Sequence, residues 1–71
     1  MKFNFTNHAQ ERMLLRFISS ESVKQVINNP ISKEYQDGQT VVKGIAFDRT
    51  LRVVYRYEKG TYVIITAYYE N

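Results

Sequence analysis

The chain has no cysteine, so neither a disulfide framework nor a thiolate metal site is open to it. A single histidine excludes a His-rich zinc site as well. One proline and three glycines in 71 residues argue against a disordered or low-complexity chain. No run approaches the ~20 apolar residues that a membrane-spanning helix needs. The opening stretch Met1-Lys2-Phe3-Asn4-Phe5 lacks the pattern of a secretory leader. Phosphate-binding glycine loops, dinucleotide fingerprints, Ser/His/Asp constellations and clustered carboxylates are all missing. These absences point to a cytoplasmic protein with no membrane association, no metal and no cofactor.

What is present suffices for one small globular domain. Hydrophobic residues make up 44% of the chain, and ten Lys/Arg against seven Asp/Glu give a net charge of +3. That mild bias favours polyanions, and it also serves solubility alone.

The stretch from Asn7 to Arg16 carries the strongest pattern. On a helix His8, Arg12 and Arg16 follow at i, i+4 and i+8 and form one slanting stripe. Ala9, Met13 and Phe17 form an apolar stripe beside it, widened by Leu14. Thr6 or Asn7 is the expected N-cap, and Asn7 with Gln10 would make a capping box. The helix is expected to end near Phe17. Ser19 or Ser20 caps a second helix over 20–28, with Glu21 in its first turn and Val23, Val26 and Ile27 on its buried side. Asn29-Pro30 stops it.

From Ile31 the periodicity switches to two. Strands are expected over 31–35, 39–47, 50–57 and 61–69, with turns at Asp37-Gly38, Asp48-Arg49 and Glu58-Lys59-Gly60. Lys2–Phe5 either adds a short edge strand or tucks two Phe rings under the sheet. The expected fold is α+β, two N-terminal helices packed on a three- to four-stranded antiparallel meander. A three-residue last turn sets Tyr57 opposite Thr61. Leu51, Val53, Tyr55, Val63, Ile65 and Ala67 then face the core, and Arg52, Arg56, Tyr62, Thr66 and Tyr68 share the other face. Those five residues suit RNA or another anionic partner, and they also suit an ordinary solvated sheet face where Arg and Tyr stack across strands.

His8 is the only side chain whose ordinary pKa lies near neutrality. It fits either a proton acceptor for a ribose 2′-hydroxyl or a local packing role. Arg16 fits a phosphate ligand or a pair with Glu21. Lys43 lies near the cationic face or in solvent, depending on the register of the Asp48-Arg49 hairpin.

The motif His8-Ala9-x-x-Arg12-Met13-x-x-Arg16, followed by Ile18-Ser19 and a Val-containing helix, resembles the opening of a bacterial family of domains of unknown function. Thr66-Ala67-Tyr68 matches the Thr-x-Tyr strand that closes that family, and Leu51-x-Val53-Val54-Tyr55 matches the strand before it. The family is similar to the BrnT and RelE-like toxins of toxin–antitoxin systems. The resemblance implies a metal-independent ribonuclease toxin acting on RNA, including RNA on the ribosome, and held inactive by a cognate antitoxin. Its implied site is His8, Arg12 and Arg16 with Thr66 and Tyr68, while Arg52, Arg56 and Tyr62 hold flanking RNA. Phe17 departs from the pattern, which has a small residue there, often Gly. Two other classes fit the same residues: a module that binds nucleic acid or protein without chemistry, and a domain whose Tyr/Arg face pairs with a partner or a second copy.

Overall fold

A computed structural model describes residues 1–71. Strand β1 (Lys2–Phe5) leads into α1 (Asn7–Leu15) and α2 (Ser20–Asn28). Strands β2 (Ser32–Gln36), β3 (Gln39–Ala46), β4 (Arg49–Glu58) and β5 (Thr61–Tyr69) follow. The architecture is α+β, with two helices as expected. The sheet is larger than expected, with five strands in the order β1-β5-β4-β3-β2. It is also mixed, because β1 runs parallel to β5, pairing Lys2 with Thr61 and Phe5 with Ile64. Lys2–Phe5 therefore does both things open to it. It forms an edge strand, and its Phe3 ring stacks on Tyr62 with centroids 5.3 Å apart.

Thr6 ties the first helix to the sheet. Its backbone N–H and its hydroxyl both donate to the Ile64 carbonyl, at 3.2 and 3.0 Å, and the hydroxyl oxygen accepts from Ala9 N–H. Thr6 is thus the N-cap, and Asn7 is the first helical residue. The Asn7–Gln10 capping box does not form; Gln10 instead donates its side-chain amide to the Phe5 carbonyl at 2.8 Å.

The helix stops at Leu15, short of Phe17. Phe17 N–H donates to Leu14 O and Ile18 N–H to Met13 O, the paired closure of a Schellman motif. Ile18 and Met13, which this closure brings together, are both buried in the core. The motif needs a left-handed residue, and Phe17 supplies it with φ of 55° while its side chain stands 91% exposed. The expected small residue at this position has its physical reason here. Phe17→Gly should stabilise the fold by about 0.5–1 kcal/mol, the left-handed strain relieved less the extra unfolded-chain entropy of glycine. A melting temperature several degrees higher would agree, whereas a fall would mean that the exposed ring makes a stabilising contact.

Ser19 caps α2 by accepting from Ser22 N–H at 3.1 Å. Val23, Val26 and Ile27 are buried as expected, and Gly44 on β3 is what lets α2 lie so close. A Cβ at Gly44 would sit 3.0 Å from a Val26 methyl and 3.3 Å from the Val26 Cα.

Two turns differ from expectation by one residue. Ala46 pairs with Arg49, so Phe47-Asp48 forms the β3–β4 turn rather than Asp48-Arg49, with φ of 53° and 62°. Glu58 pairs with Thr61, so the last turn is the two residues Lys59-Gly60, both at positive φ. This slides β5 by one residue and turns Tyr62 and Ile64, instead of Val63 and Ile65, toward the helices. A bulge then restores the phase: Tyr55 pairs with Ile64 but Val54 with Thr66, leaving Ile65 as the extra residue. Leu51, Val53, Tyr55 and Ala67 consequently face the core as expected, joined by Ile64. Val63 is buried but lies outside that cluster.

Both helices cover one face of the sheet, α1 over β5 and α2 over β3 and β4. No helix packs on the other face. The outer strand β2 is exposed along its whole length and carries Lys33 and Glu34, which blunt pairing with other edges. No helix is long and apolar enough to cross a membrane.

Candidate functional site

Cationic and aromatic side chains collect on the open face at the far end of β5. Cross-strand pairing sets Lys43 (β3) beside Arg52 (β4), and Arg52 beside Tyr68 (β5). Thr66 shares that face two residues before Tyr68. Arg56 is also on it, four residues along β4 from Arg52, and pairs with Glu58 at 3.4 Å.

A third cation enters from the helix layer. Strand β1 stops at the Phe5–Ile64 pair, so the edge of β5 beyond the bulge has no neighbouring strand. Arg16, the C-cap of α1, fills that gap by donating Nη1–H to the Ala67 carbonyl at 3.0 Å. Its guanidinium then lies 5.9 Å from the centroid of the Tyr68 ring. The Arg52 guanidinium lies at the same 5.9 Å from that ring. Arg16 makes no pair with Glu21, which instead meets Lys24 at 3.9 Å.

Glu70, just past the end of β5, completes the cluster. Its Oε2 accepts from Arg52 Nη2 and from Lys43 Nζ, the latter at 2.9 Å. The hydrogen bond from Lys43, reinforced by Arg52 and opposed by desolvation, holds the Glu70 carboxyl below its ordinary pKa. Arg52 is held still more firmly protonated, chiefly by the adjoining Tyr68 side chain and then by Glu70. Arg52 Nε is buried and has no acceptor. Two cations thus meet one carboxylate, with Arg16 close by at the Tyr68 ring and a guanidinium N–H of Arg52 left to donate. Beside them a hollow of about 260 Å³ opens between Arg16, Arg49, Tyr68 and Tyr69, where Arg49 stacks 4.0 Å from the Tyr69 centroid.

The structure therefore gathers Arg16, Arg52, Thr66 and Tyr68 from the expected residues and adds Lys43. It separates the others. His8 is exposed in the first turn of α1 and Arg12 is half-buried, and neither side chain forms a hydrogen bond or ion pair. Eight residues at ~1.5 Å rise set His8 roughly 12 Å from Arg16 along the helix. Tyr62, expected on the open face, lies on the helix side, edge-on to Tyr55 and Tyr57. The sequence patterns single out neither Glu70 nor Arg49. Glu70 was findable, since it follows Tyr68 by two residues and so returns to the same face.

The largest hollow, about 510 Å³, lies elsewhere, between β1 and the helices, and is lined mainly by Phe3, Phe5, Met13, Leu14 and Ile18. It has no charged group to direct chemistry. No cluster of three His, Cys, Asp or Glu side chains that could hold a metal ion is assembled.

Fold and site define a small α+β domain with a bare sheet face bearing an arginine–tyrosine–lysine cluster. The chain belongs to the DUF4258 family, a domain of unknown function, which matches residues 5–69. No curated protein and no solved structure matches it.

Proposed function

We propose that this protein binds RNA on its open sheet face and cleaves it without a metal ion, as a toxin similar to the BrnT and RelE-like toxins of bacterial toxin–antitoxin pairs. The observation that carries the reading is the approach of Arg16 and Arg52, from different layers, to the one ring of Tyr68. Guanidiniums bind phosphate oxygens through charge-assisted hydrogen bonds, and a tyrosine ring offers a stacking surface to a base. Arg56, roughly 13 Å farther along the same face, would hold a flanking phosphate.

In this reading the ribose 2′-oxygen attacks the adjacent phosphorus and the bond to the 5′-oxygen breaks. Arg16, Arg52 and Lys43 stabilise the charge developing on the phosphorane oxygens. Tyr68, oriented beside Thr66, donates a proton to the leaving oxygen, and the 2′-hydroxyl proton passes to solvent water, because His8, roughly 12 Å from Arg16 along α1, is out of hydrogen-bond reach of the same ribose. A cognate antitoxin would have to cover this face to silence it.

The separation of His8 from the cluster favours a second reading, in which the same face binds RNA and does no chemistry. End-labelled RNA in excess EDTA distinguishes them. For the nuclease, Tyr68→Phe should slow cleavage by about 10²–10⁴-fold with the fold intact. Intact RNA with both proteins, still retained in a binding assay, would favour the second reading.

A further inference from the structure

We propose that Glu70 is a built-in competitor of phosphate, its carboxylate closing the Lys43–Arg52 site until an RNA phosphate displaces it. This rests on the RNA-binding reading above. One oxygen of Glu70 bridges the Lys43 ammonium and the Arg52 guanidinium, which is how a non-bridging phosphate oxygen would sit. The occupant fits imperfectly. Glu70 engages Arg52 only through Nη2, and the neighbouring Nε stays buried without an acceptor. A phosphodiester, with two non-bridging oxygens set apart on a tetrahedral centre, can take both nitrogens of that guanidinium edge and still reach Lys43.

Displacement needs no refolding. The Glu70 backbone is pinned to β4, its N–H donating to the Thr50 carbonyl at 2.9 Å, so the side chain swings out by rotamer change alone. The Glu70 side chain is 30% exposed, which leaves it a path to solvent. A small hollow of about 60 Å³ adjoins Lys43 and Arg52 on the β2 side, bordered by Ser32, Gln36 and the carboxylate of Glu34. Glu34 repels an anion there, so the phosphate enters where Glu70 leaves. The carboxylate and a phosphodiester carry equal charge, and the exchange sets an affinity threshold: apparent affinity falls by the fraction of time the site stands open.

The test is fluorescence anisotropy with a labelled single-stranded RNA oligonucleotide and four proteins: wild type, Glu70→Ala, Glu70→Gln and Glu21→Ala. Glu21 lies on α2 beside Lys24 and controls for the added positive charge. Opening the site should tighten binding by about tenfold for Glu70→Ala and Glu70→Gln, as expected if it is closed some nine-tenths of the time. Glu21→Ala should stay within about twofold of wild type, in line with a remote exposed charge. Glu70→Gln keeps the side-chain shape and carries the test if the alanine variant does not fold. Wild type that binds while both Glu70 variants bind equally or more weakly would overturn the competitor and leave the RNA reading standing. No binding by any of the four would overturn both.

Discussion

The double variant Arg16→Ala/Arg52→Ala is expected to bind RNA at least about 100-fold more weakly than wild type. Each charge-assisted hydrogen bond to phosphate contributes about 1.5–3 kcal/mol. Losing two removes about 3–6 kcal/mol, against 1.4 kcal/mol per tenfold. The salt dependence reports the same loss independently, because each phosphate contact on a single strand adds ~0.7 to the slope of log affinity against log salt. The slope should therefore flatten by about 1.4 in the double variant. Arg16 also holds the Ala67 carbonyl at the open edge of β5, which adds a structural part to the effect. Arg16→Lys separates the two, keeping the charge and losing the planar fork. A double variant within threefold of wild type, with an unchanged slope, would remove this cluster from RNA binding.

The largest effect on stability is expected at Ile64. Its side chain is fully buried, and its carbonyl receives both donors of Thr6 where β1 hands over to α1. Alanine there would leave a cavity where α1, β1 and the sheet meet, and buried Ile→Ala changes cost about 2–5 kcal/mol. A chain of this length holds roughly 4–11 kcal/mol in all. Each kcal/mol moves the melting temperature by about 4–8 °C in so small a domain. Ile64→Ala should thus lower it by at least about 8 °C. Ile65→Ala provides the comparison: the two neighbours are chemically alike, but Ile65 is the bulged residue and only half-buried. A larger loss at Ile65 than at Ile64 would contradict the register of β5.

That register also marks the limit of what the sequence makes legible. The helices are written locally: Ser19 caps, Val23, Val26 and Ile27 repeat at helical spacing, and Pro30 ends the run. The strand turns are legible only where Asp37-Gly38 announces a positive-φ pair. At Lys59 and Phe47 the chain adopts left-handed φ with residues that seldom take it, and each turn shifted by one. A bulge at Ile65 then cancelled the slip on β5, so Thr66 and Tyr68 still face outward with Arg52 while Tyr62 does not. Strand β1 gives no local sign of its partner, since its parallel pairing joins residues at opposite ends of the chain. The destination of Arg16 was hidden for the same reason. The open Ala67 carbonyl exists only because β1 is four residues long and stops at Ile64. His8, Arg12 and Arg16 do form a helical stripe, but a stripe two turns long does not by itself converge on one phosphate.

The central claim is that RNA engages the face where Arg16, Arg52 and Tyr68 meet. A ¹H–¹⁵N correlation spectrum of this small protein, titrated with a short single-stranded RNA, tests it residue by residue. The account predicts that the amides of Lys43, Arg52, Thr66, Tyr68 and Glu70 and the Arg16 side chain shift together and saturate at one affinity. Shifts confined to the apolar hollow around Phe3, Leu14 and Ile18, or no shifts at all, would contradict it.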